Sequence, residues 1–207
     1  MKTQRERMLA EELYMAHDPE LGALNRKNRR LLHEYNYHTL ERRERRNEIL
    51  RELLGGCGEH VYFEPPFHCD YGCHITVGEN FYANFDCTIL DVASVTIGAN
   101  VMFGPKVGIY TAGHPIDAAV RNSGVEFGKS VVIGDNVWVG AQTVINPGVT
   151  IGDNVVIGSG SVVTKDIPAN VVAVGNPCRV LRAITDEDKH YWQALKQQYD
   201  EDTQVVD

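Results

Sequence analysis

Aliphatic residues recur at every sixth position through the second half of the chain. Glycine or a short polar residue follows each of them, and a valine, threonine or serine stands two positions before. An α-helix repeats every 3.6 residues and a strand every 2, so a period of six fits neither alone. Short strands that bury one side chain and then turn a corner do fit, and they stack into a solenoid. The column consists of Ile133, Val139, Ile145, Ile151, Ile157 and Val163.

The repeat also extends upstream. Two runs keep the six-residue step on either side of a two-residue slip: Val77, Ala83 and Ile89, then Ile97, Phe103 and Ile109. If each side of a triangular coil takes six residues, Ile133 stacks on Ile151 and Val139 stacks on Ile157. Glycine and asparagine are expected at the corners because they tolerate unusual φ angles. The pattern predicts a mainly β fold, a parallel β-helix of hexapeptide repeats over residues 56–183.

Helical spacing is typical of residues 1–55, where glycine is almost absent. Asp18-Pro19 separates a first apolar stretch from a second, and Gly55 ends a third. The apolar residues of the three stretches are Met8, Leu9, Leu13, Tyr14; Leu31, Leu32, Tyr35, Leu40; and Ile49, Leu50, Leu53, Leu54. We expect residues 1–55 to form a helical cap on the acceptor side and residues 184–207 to form a short C-terminal helix and tail.

The net charge of −8 is unevenly distributed, since residues 1–51 are net positive and the remainder is strongly negative. Arginine pairs at 29–30, 42–43 and 45–46 alternate with glutamates, which is typical of a solvated helix face and not of a nucleic-acid surface. No apolar run reaches about 18 residues and no secretory signal begins the chain. These features predict a cytoplasmic protein without a nucleic-acid or membrane partner.

Five cysteines, an odd number in a chain without an export signal, favour reduced thiols over disulfides. His68-Cys69 and Cys73-His74 have the spacing of zinc ligands, but no second ligand pair follows at the usual distance. Half-buried strand positions are the favoured interpretation, and no metal is expected. Cys87 as a covalent nucleophile is disfavoured because no histidine neighbours it in sequence.

The six-residue repeat fails over residues 111–130, which predicts an insertion loop. A loop that leaves a rigid solenoid is where functional residues are usually displayed, although a plain surface loop is the alternative. His114 lies in this segment, and histidine is the side chain best matched to proton abstraction near neutral pH. Gly113 before it allows close approach, and Pro115 after it biases the backbone of His114 towards an extended conformation.

Several motifs resemble hexapeptide-repeat acyltransferases, and within that superfamily the maltose/galactoside O-acetyltransferase group. They are the segments 69–72, 80–86, 110–117, 136–140 and 158–179. The resemblance spans nearly the whole chain and implies a left-handed β-helix, whereas the usual crossover preference would favour the other hand. It also implies a homotrimer with active sites in clefts between subunits.

The resemblance implies direct transfer of an acetyl group from acetyl-CoA to a sugar hydroxyl, with His114 as the general base. Glu126 stands where many relatives carry a carboxylate that orients the base; a solvated loop glutamate is the alternative. Acceptor residues implied in the same way are Asp70, Asn84 and Asp91, with Tyr71 and Tyr82 nearby and Tyr14 and Asp18 from the cap. Corner turns are the alternative for Asn84 and Asp91. Asp70 replaces the serine of galactoside-type members, which favours a maltose- or glucose-like sugar. The 6-hydroxyl of that sugar is the expected acceptor.

A groove between coils is expected to hold coenzyme A. Backbone groups of Ala141 and Ser159 are candidates for the pantetheine arm, and Trp138 is a candidate for the thioester end. The phosphates require cations, and arginine suits them through its fork of donors. The residues that coincide with family positions are Thr164, Lys165, Arg179 and Arg182, with a solvated surface charge as the alternative for each cation.

Functions other than sugar acetylation are compatible with the same fold. A γ-type carbonic anhydrase needs three histidines on zinc, and residues 130–178 contain none. A non-catalytic, sugar-binding β-helix would not require the His114 loop together with Lys165 and Arg179. Galactosides, serine or antibiotics are alternative acceptors. Acceptor sugars differ by contacts worth about 1–3 kcal/mol, which sequence alone does not resolve.

Overall fold

The computed structural model describes residues 1–39 and 41–203. Leu40, which the apolar pattern includes, and the tail residues 204–207 lie outside this range. The helices are α1 (Gln4–Leu9), α2 (Pro19–His38), α3 (Arg43–Leu53), α4 (Ala118–Asn122) and α5 (Asp186–Thr203). The first ten strands are β1 (Tyr14–Met15), β2 (Gly56–Cys57), β3 (Val61–Phe63), β4 (His68–Cys69), β5 (Ile75–Val77), β6 (Phe81–Ala83), β7 (Thr88–Leu90), β8 (Val95–Ile97), β9 (Met102–Phe103) and β10 (Gly108–Tyr110). The later strands are β11 (Ala112–Gly113), β12 (Val125–Gly128), β13 (Val131–Ile133), β14 (Trp138–Val139), β15 (Val144–Ile145), β16 (Thr150–Ile151), β17 (Val156–Ile157), β18 (Val162–Val163), β19 (Val171–Val174) and β20 (Arg179–Ala183).

The solenoid is a triangular prism of about six turns whose faces are parallel sheets. Face I contains β3, β6, β9, β14, β17 and β19, with β20 added antiparallel at its end. Face II contains β4, β7, β10, β15 and β18, and face III contains β2, β5, β8, β13 and β16. The chain passes from face I to face II to face III in each coil. We name each corner by the two faces that it joins.

The predicted aliphatic column lies in the centre of the prism. Its members from residue 133 to residue 163 are each at most 1 % exposed. Ile133 pairs with Ile151 and Val139 pairs with Ile157, as the six-residue period predicts. Burial of each such side chain stabilises the fold by about 1.5–3 kcal/mol. The prediction of a mainly β, hexapeptide-repeat fold with helices at both ends is confirmed.

The coils differ in length, and the extra residues accumulate at one corner. Val77 pairs with Ile97, 20 residues on, whereas Ile133 pairs with Ile151, 18 residues on. The two extra residues that interrupt the six-residue period after Ile89 lie in the turn at the face II/III corner, residues 91–94. One coil later the insertion loop leaves from the same corner. This corner therefore carries more chain than the others.

Asparagine and glycine have different tasks in the prism. The residues with positive φ at the face III/I corner are Asn80, Asn100, Asn136, Asn154 and Asn170, which confirms the expectation for asparagine. Gly140 adopts no such angle; instead, a Cβ there would lie 2.6 Å from the backbone nitrogen of Ser159 in the next coil. The glycine expectation was wrong at this position, where the missing side chain allows close stacking of coils.

The helical prediction for the first apolar stretch is wrong beyond Leu9, where α1 ends. Tyr14 and Met15 form β1, which pairs antiparallel with β12 of the insertion loop. Tyr14 and Met8 are buried in a small core that also contains Val92. The backbone partners of β1 come from a segment more than 100 residues away, so local spacing could not reveal the strand.

The alternation of arginine with glutamate predicts a solvated helix face, and this is wrong for Arg46. Its side chain is 5 % exposed, and its guanidinium lies 5.9 Å from the Tyr35 ring centre and 5.6 Å from that of Tyr62. Its Nε donates to the carbonyl and hydroxyl oxygens of Thr39, each at 3.1 Å. Arg46 thus joins α3 to the first coil through hydrogen bonds and cation–π contacts.

Candidate active site

The insertion loop begins as a two-stranded hairpin. β11 and β12 pair antiparallel, with Ala112 opposite Gly128 and Gly113 opposite Phe127. A Cβ on Gly113 would lie 2.7 Å from the Phe127 ring, so glycine is required for that ring to cover the strand. The ladder ends there: His114 directly follows Gly113 and Glu126 directly precedes Phe127, so both residues adjoin the last pair of the hairpin. His114 is exposed at the end of the hairpin.

The N-terminal cap completes this hairpin as a third strand. β1 pairs with the other edge of β12, and Tyr14 stands opposite Glu126. The Tyr14 hydroxyl donates a 3.0 Å hydrogen bond to Oε2 of Glu126. Tyr14 is 1 % exposed, and burial, followed by the charge of Glu126, raises its pKa far above the ordinary value. It therefore remains protonated and faces the loop rather than solvent.

Asp91 anchors the face II/III corner from inside. Its carboxylate is fully buried, and Oδ1 accepts the backbone N–H groups of Asp70 at 3.0 Å and Tyr71 at 2.9 Å. Oδ2 accepts the N–H of His74 at 3.3 Å, and the His74 ring nitrogen Nδ1 lies 2.7 Å from the Asp91 carbonyl oxygen. These contacts favour the corner-turn alternative for Asp91, because the buried carboxylate holds the backbone of its neighbours.

Asp70 is half-buried on the surface that Asp91 supports. Burial raises its pKa to about 6, and the negative charges of Asp91 and Glu126 act in the same direction, while Arg29 opposes them. Asp70 thus lies within electrostatic range of the loop that carries His114. A carboxylate at this position can accept hydrogen bonds from the hydroxyls of a polyol.

The face I/II corner carries a second set of predicted residues. Asn84 donates its backbone N–H to Phe103 in the next coil, and its Oδ1 accepts the N–H of Phe85. Ala141 and Ser159 turn the same corner in later coils. Among the described residues, the backbone N–H groups of both have no hydrogen-bond acceptor. They form a short column of free donors along the corner.

An outward row of side chains on face I borders this column. Tyr82 pairs with Met102, which pairs with Trp138. Trp138 is 53 % exposed and Met102 is 52 % exposed, whereas Tyr82 is partly covered by the parallel ring of Tyr62. The tryptophan therefore presents a large apolar surface beside Ala141.

The cation candidates divide between the same two corners. Thr164 and Lys165 follow β18 at the face II/III corner, whereas Arg179 pairs with Val174 at the end of face I. Arg182 is committed elsewhere, because its guanidinium binds both carboxylate oxygens of Asp188 at 2.6 and 2.8 Å. This ion pair favours the surface-charge alternative for Arg182.

Comparisons with known proteins agree with this architecture. The family model for the maltose acetyltransferase hexapeptide capping motif matches residues 7–58, and the bacterial transferase hexapeptide model (six repeats) matches residues 130–165. The crystal structure of a maltose O-acetyltransferase from Clostridium difficile 630 is similar with a TM-score of 0.88 and 53% identity, covering 89% of this chain and 98% of that one. The galactoside O-acetyltransferase of Escherichia coli K12 is 46% identical over 90% of this chain and 92% of its own length. The chain belongs to the maltose and galactoside O-acetyltransferase family.

A galactoside acetyltransferase in complex with coenzyme A is also similar to this O-acetyltransferase, with a TM-score of 0.87 and 44% identity over 91% of this chain and 94% of that one. Within the described residues, no helix is long and apolar enough to cross a membrane. The same part of the chain contains no group of three His, Cys, Asp or Glu side chains placed to hold a metal ion.

Within one chain of the O-acetyltransferase, the predicted site residues do not meet at one point. The face II/III corner holds Asp70, Tyr71, Asp91, His114, Glu126, Thr164 and Lys165, whereas face I and its corner hold Tyr82, Asn84, Trp138, Ala141, Ser159, Arg179 and Arg182. A whole side of the prism separates the two sets. Asp18 caps α2 in the cap near the first set, with its Oδ1 accepting the N–H groups of Glu20 and Leu21. Sequence reasoning missed that Tyr14 contacts Glu126, because it placed Tyr14 in a helix.

Proposed function

We propose that this enzyme transfers the acetyl group of acetyl-CoA to a hydroxyl of a maltose- or glucose-like sugar, with the primary 6-hydroxyl as the favoured acceptor. The observation that carries the proposal is the Tyr14–Glu126 hydrogen bond on the hairpin whose first strand ends just before His114, together with the half-buried Asp70 nearby. Glu126 is thereby held on the hairpin whose end carries the exposed His114. Family membership supports the reaction class.

In the proposed reaction, the sugar hydroxyl attacks the thioester carbonyl carbon while His114 removes its proton. The tetrahedral intermediate then expels the thiolate of coenzyme A, which takes the proton from the imidazolium. Glu126 holds the other ring nitrogen and stabilises the positive charge that forms. The step needs no covalent enzyme intermediate and no metal ion.

Asp70 and Asn84 are proposed to bind acceptor hydroxyls, with Tyr71 and Tyr82 as aromatic walls. Asp91 acts indirectly, because its carboxylate holds the backbone of Asp70 and Tyr71. The free N–H groups of Ala141 and Ser159 are proposed to bind the pantetheine arm, and Trp138 packs near the thioester. Lys165 and Arg179, with Thr164, are proposed to contact the phosphates.

The two sets of residues are proposed to come together across a subunit interface in a homotrimer. The separation of the corners in one chain supports this, since His114 and Asn84 then meet only in a cleft between two copies. The C-terminal helix supports it as well: α5 has no buried residue and exposes Tyr191, Trp192 and Leu195. An apolar surface of this kind is typical of a subunit contact.

A complementation experiment tests both the base and the shared site. We expect His114→Ala to lower kcat for thiol release from acetyl-CoA, with maltose or glucose as acceptor, by about 10²–10⁴-fold. Asn84→Ala should also be nearly inactive. Co-expression of the two inactive chains should restore about a quarter of wild-type activity, because random assembly gives that share of clefts with both residues intact.

The control variant is His33→Ala, which removes an exposed histidine on α2 and should retain wild-type turnover. Near-normal turnover of His114→Ala would refute the assignment of the base. Inactive mixed assemblies, despite co-purification of both chains, would show that each site lies within one chain and would refute the shared cleft.

A further inference from the structure

We propose that Tyr14 of the N-terminal cap is a positioning residue for catalysis: its hydroxyl holds Glu126 in the orientation in which that carboxylate fixes His114. The inference rests on the proposed roles of His114 and Glu126 and adds a function for the cap. On this view, the cap does more than close the end of the prism.

The first observation is the direct hydrogen bond between the two side chains. The Tyr14 hydroxyl donates to Oε2 of Glu126 at 3.0 Å, and Oε1 has no hydrogen-bond partner among the described residues. The donor is permanent, because burial keeps the phenol protonated. A carboxylate on a flexible two-carbon stem loses much of its rotational freedom when one oxygen is held in this way.

The second observation is the strand register. Tyr14 lies opposite Glu126 on one edge of β12, and His114 follows the residue opposite Phe127 on the other edge. Tyr14 and Glu126 therefore form a cross-strand pair, and His114 lies immediately past the last paired residue of β11. Cross-strand partners such as Tyr14 and Glu126 contact each other directly, and on this proposal the His114 ring reaches Glu126 from the end of β11.

The third observation is a second contact between the cap and the insertion loop. The Glu11 carboxylate accepts hydrogen bonds from the backbone N–H of Ser130 at 2.8 Å and from its hydroxyl at 2.6 Å. It also lies 3.7 Å from the ammonium group of Lys129. β1 is fixed in turn, because the N–H of Met15 donates to the Gln4 side chain at 2.8 Å. The position of β12 thus depends on the cap at both ends.

A double-mutant cycle tests the proposal. Tyr14→Phe keeps the buried ring and removes only the hydroxyl, and we expect it to lower kcat about tenfold while the KM for acetyl-CoA stays within about twofold, because a hydrogen bond to a charged group is lost. In a Glu126→Ala background the same substitution should cost less than about twofold, since no carboxylate remains to be held. A purely structural role would give equal losses in both backgrounds.

Tyr35→Phe is the matched control, because Tyr35 is also a fully buried cap tyrosine whose hydroxyl donates to a backbone carbonyl, that of Phe63. It should leave the kcat unchanged at a temperature where the protein is folded. An unchanged kcat in Tyr14→Phe, or equal losses with and without Glu126, overturns the proposal. Loss in His114→Ala combined with full activity in Glu126→Ala would instead remove the orienting role of Glu126, and with it the task assigned to Tyr14.

Discussion

Asp70 is expected to destabilise the folded protein at neutral pH. Its pKa rises from 3.8 to about 6 on folding, with burial as the main cause. The folded state therefore binds a proton more tightly than the unfolded state, so stability is lost as the pH rises from 3.8 to about 6. Asp70→Asn removes the ionisable group and should recover that loss above pH 6.

The magnitude follows from the pKa difference. Each pKa unit corresponds to about 1.36 kcal/mol, which gives an upper value of about 3 kcal/mol for Asp70. Because the carboxyl is only half-buried, solvent screening reduces this to about 1–2 kcal/mol. For a protein of this size, such a gain raises the midpoint of thermal unfolding by roughly 3–6 °C.

Thermal unfolding of wild type and Asp70→Asn at pH 7.5 and pH 4.5 measures the effect. At pH 7.5 the rise in the unfolding midpoint of Asp70→Asn over wild type should have its whole value. At pH 4.5 it should be about one third as large, because Asp70 is then protonated in most folded wild-type molecules. Asp86→Asn, at an exposed corner where φ is positive, is the matched Asp→Asn control measured at the same two pH values. A gain of equal size at both pH values, or a lower midpoint at pH 7.5, would contradict the electrostatic argument.

Two further substitution pairs separate the roles of similar residues. Arg179→Ala should raise the KM for acetyl-CoA by about 5–10-fold, and by less at high salt. Arg182→Ala should change this KM less than about twofold, because Arg182 is paired with Asp188. Equal effects of the two substitutions would contradict the assignment of Arg179 to the phosphates. In denaturant unfolding, Gly140→Ala should destabilise the fold by about 1–3 kcal/mol, because the added Cβ would lie 2.6 Å from the backbone nitrogen of Ser159 in the next coil. Gly22→Ala, inside α2, should stabilise the fold by about 0.5–1 kcal/mol because alanine has the higher helix propensity. A neutral Gly140→Ala would show that the coils can separate at this corner.

The solenoid could be predicted from the sequence because each coil repeats the same local rule. A column residue such as Ile145 is buried by its neighbours above and below, and those neighbours obey the same six-residue period. Periodicity, corner asparagines and the interruption at residues 111–130 are all local signals. For the same reason, His114 could be recognised as a candidate base from its loop and its flanking residues.

Other features depended on contacts between distant segments and could not be found in this way. β1 exists because β12 offers it an edge, and Arg46 is buried because two tyrosines from α2 and the first coil enclose it. Asp91 appeared equivalent to Asp70 in sequence, yet one carboxylate is buried on backbone amides and the other is half-exposed. The two aspartates therefore have the same side chain at corner positions, and their different burial gives them different roles.

The six-residue period by itself determined the architecture, because a repeated local pattern can be satisfied only by stacking. The tertiary structure decided which side chains meet: it placed Tyr14 against Glu126, set His114 at the end of the same hairpin, and separated this hairpin from Asn84 and Trp138 by a face of the prism. These relations follow from where the insertion loop leaves the coil and from the cap strand that pairs with it. Both are long-range pairings, whose partners a local pattern does not encode.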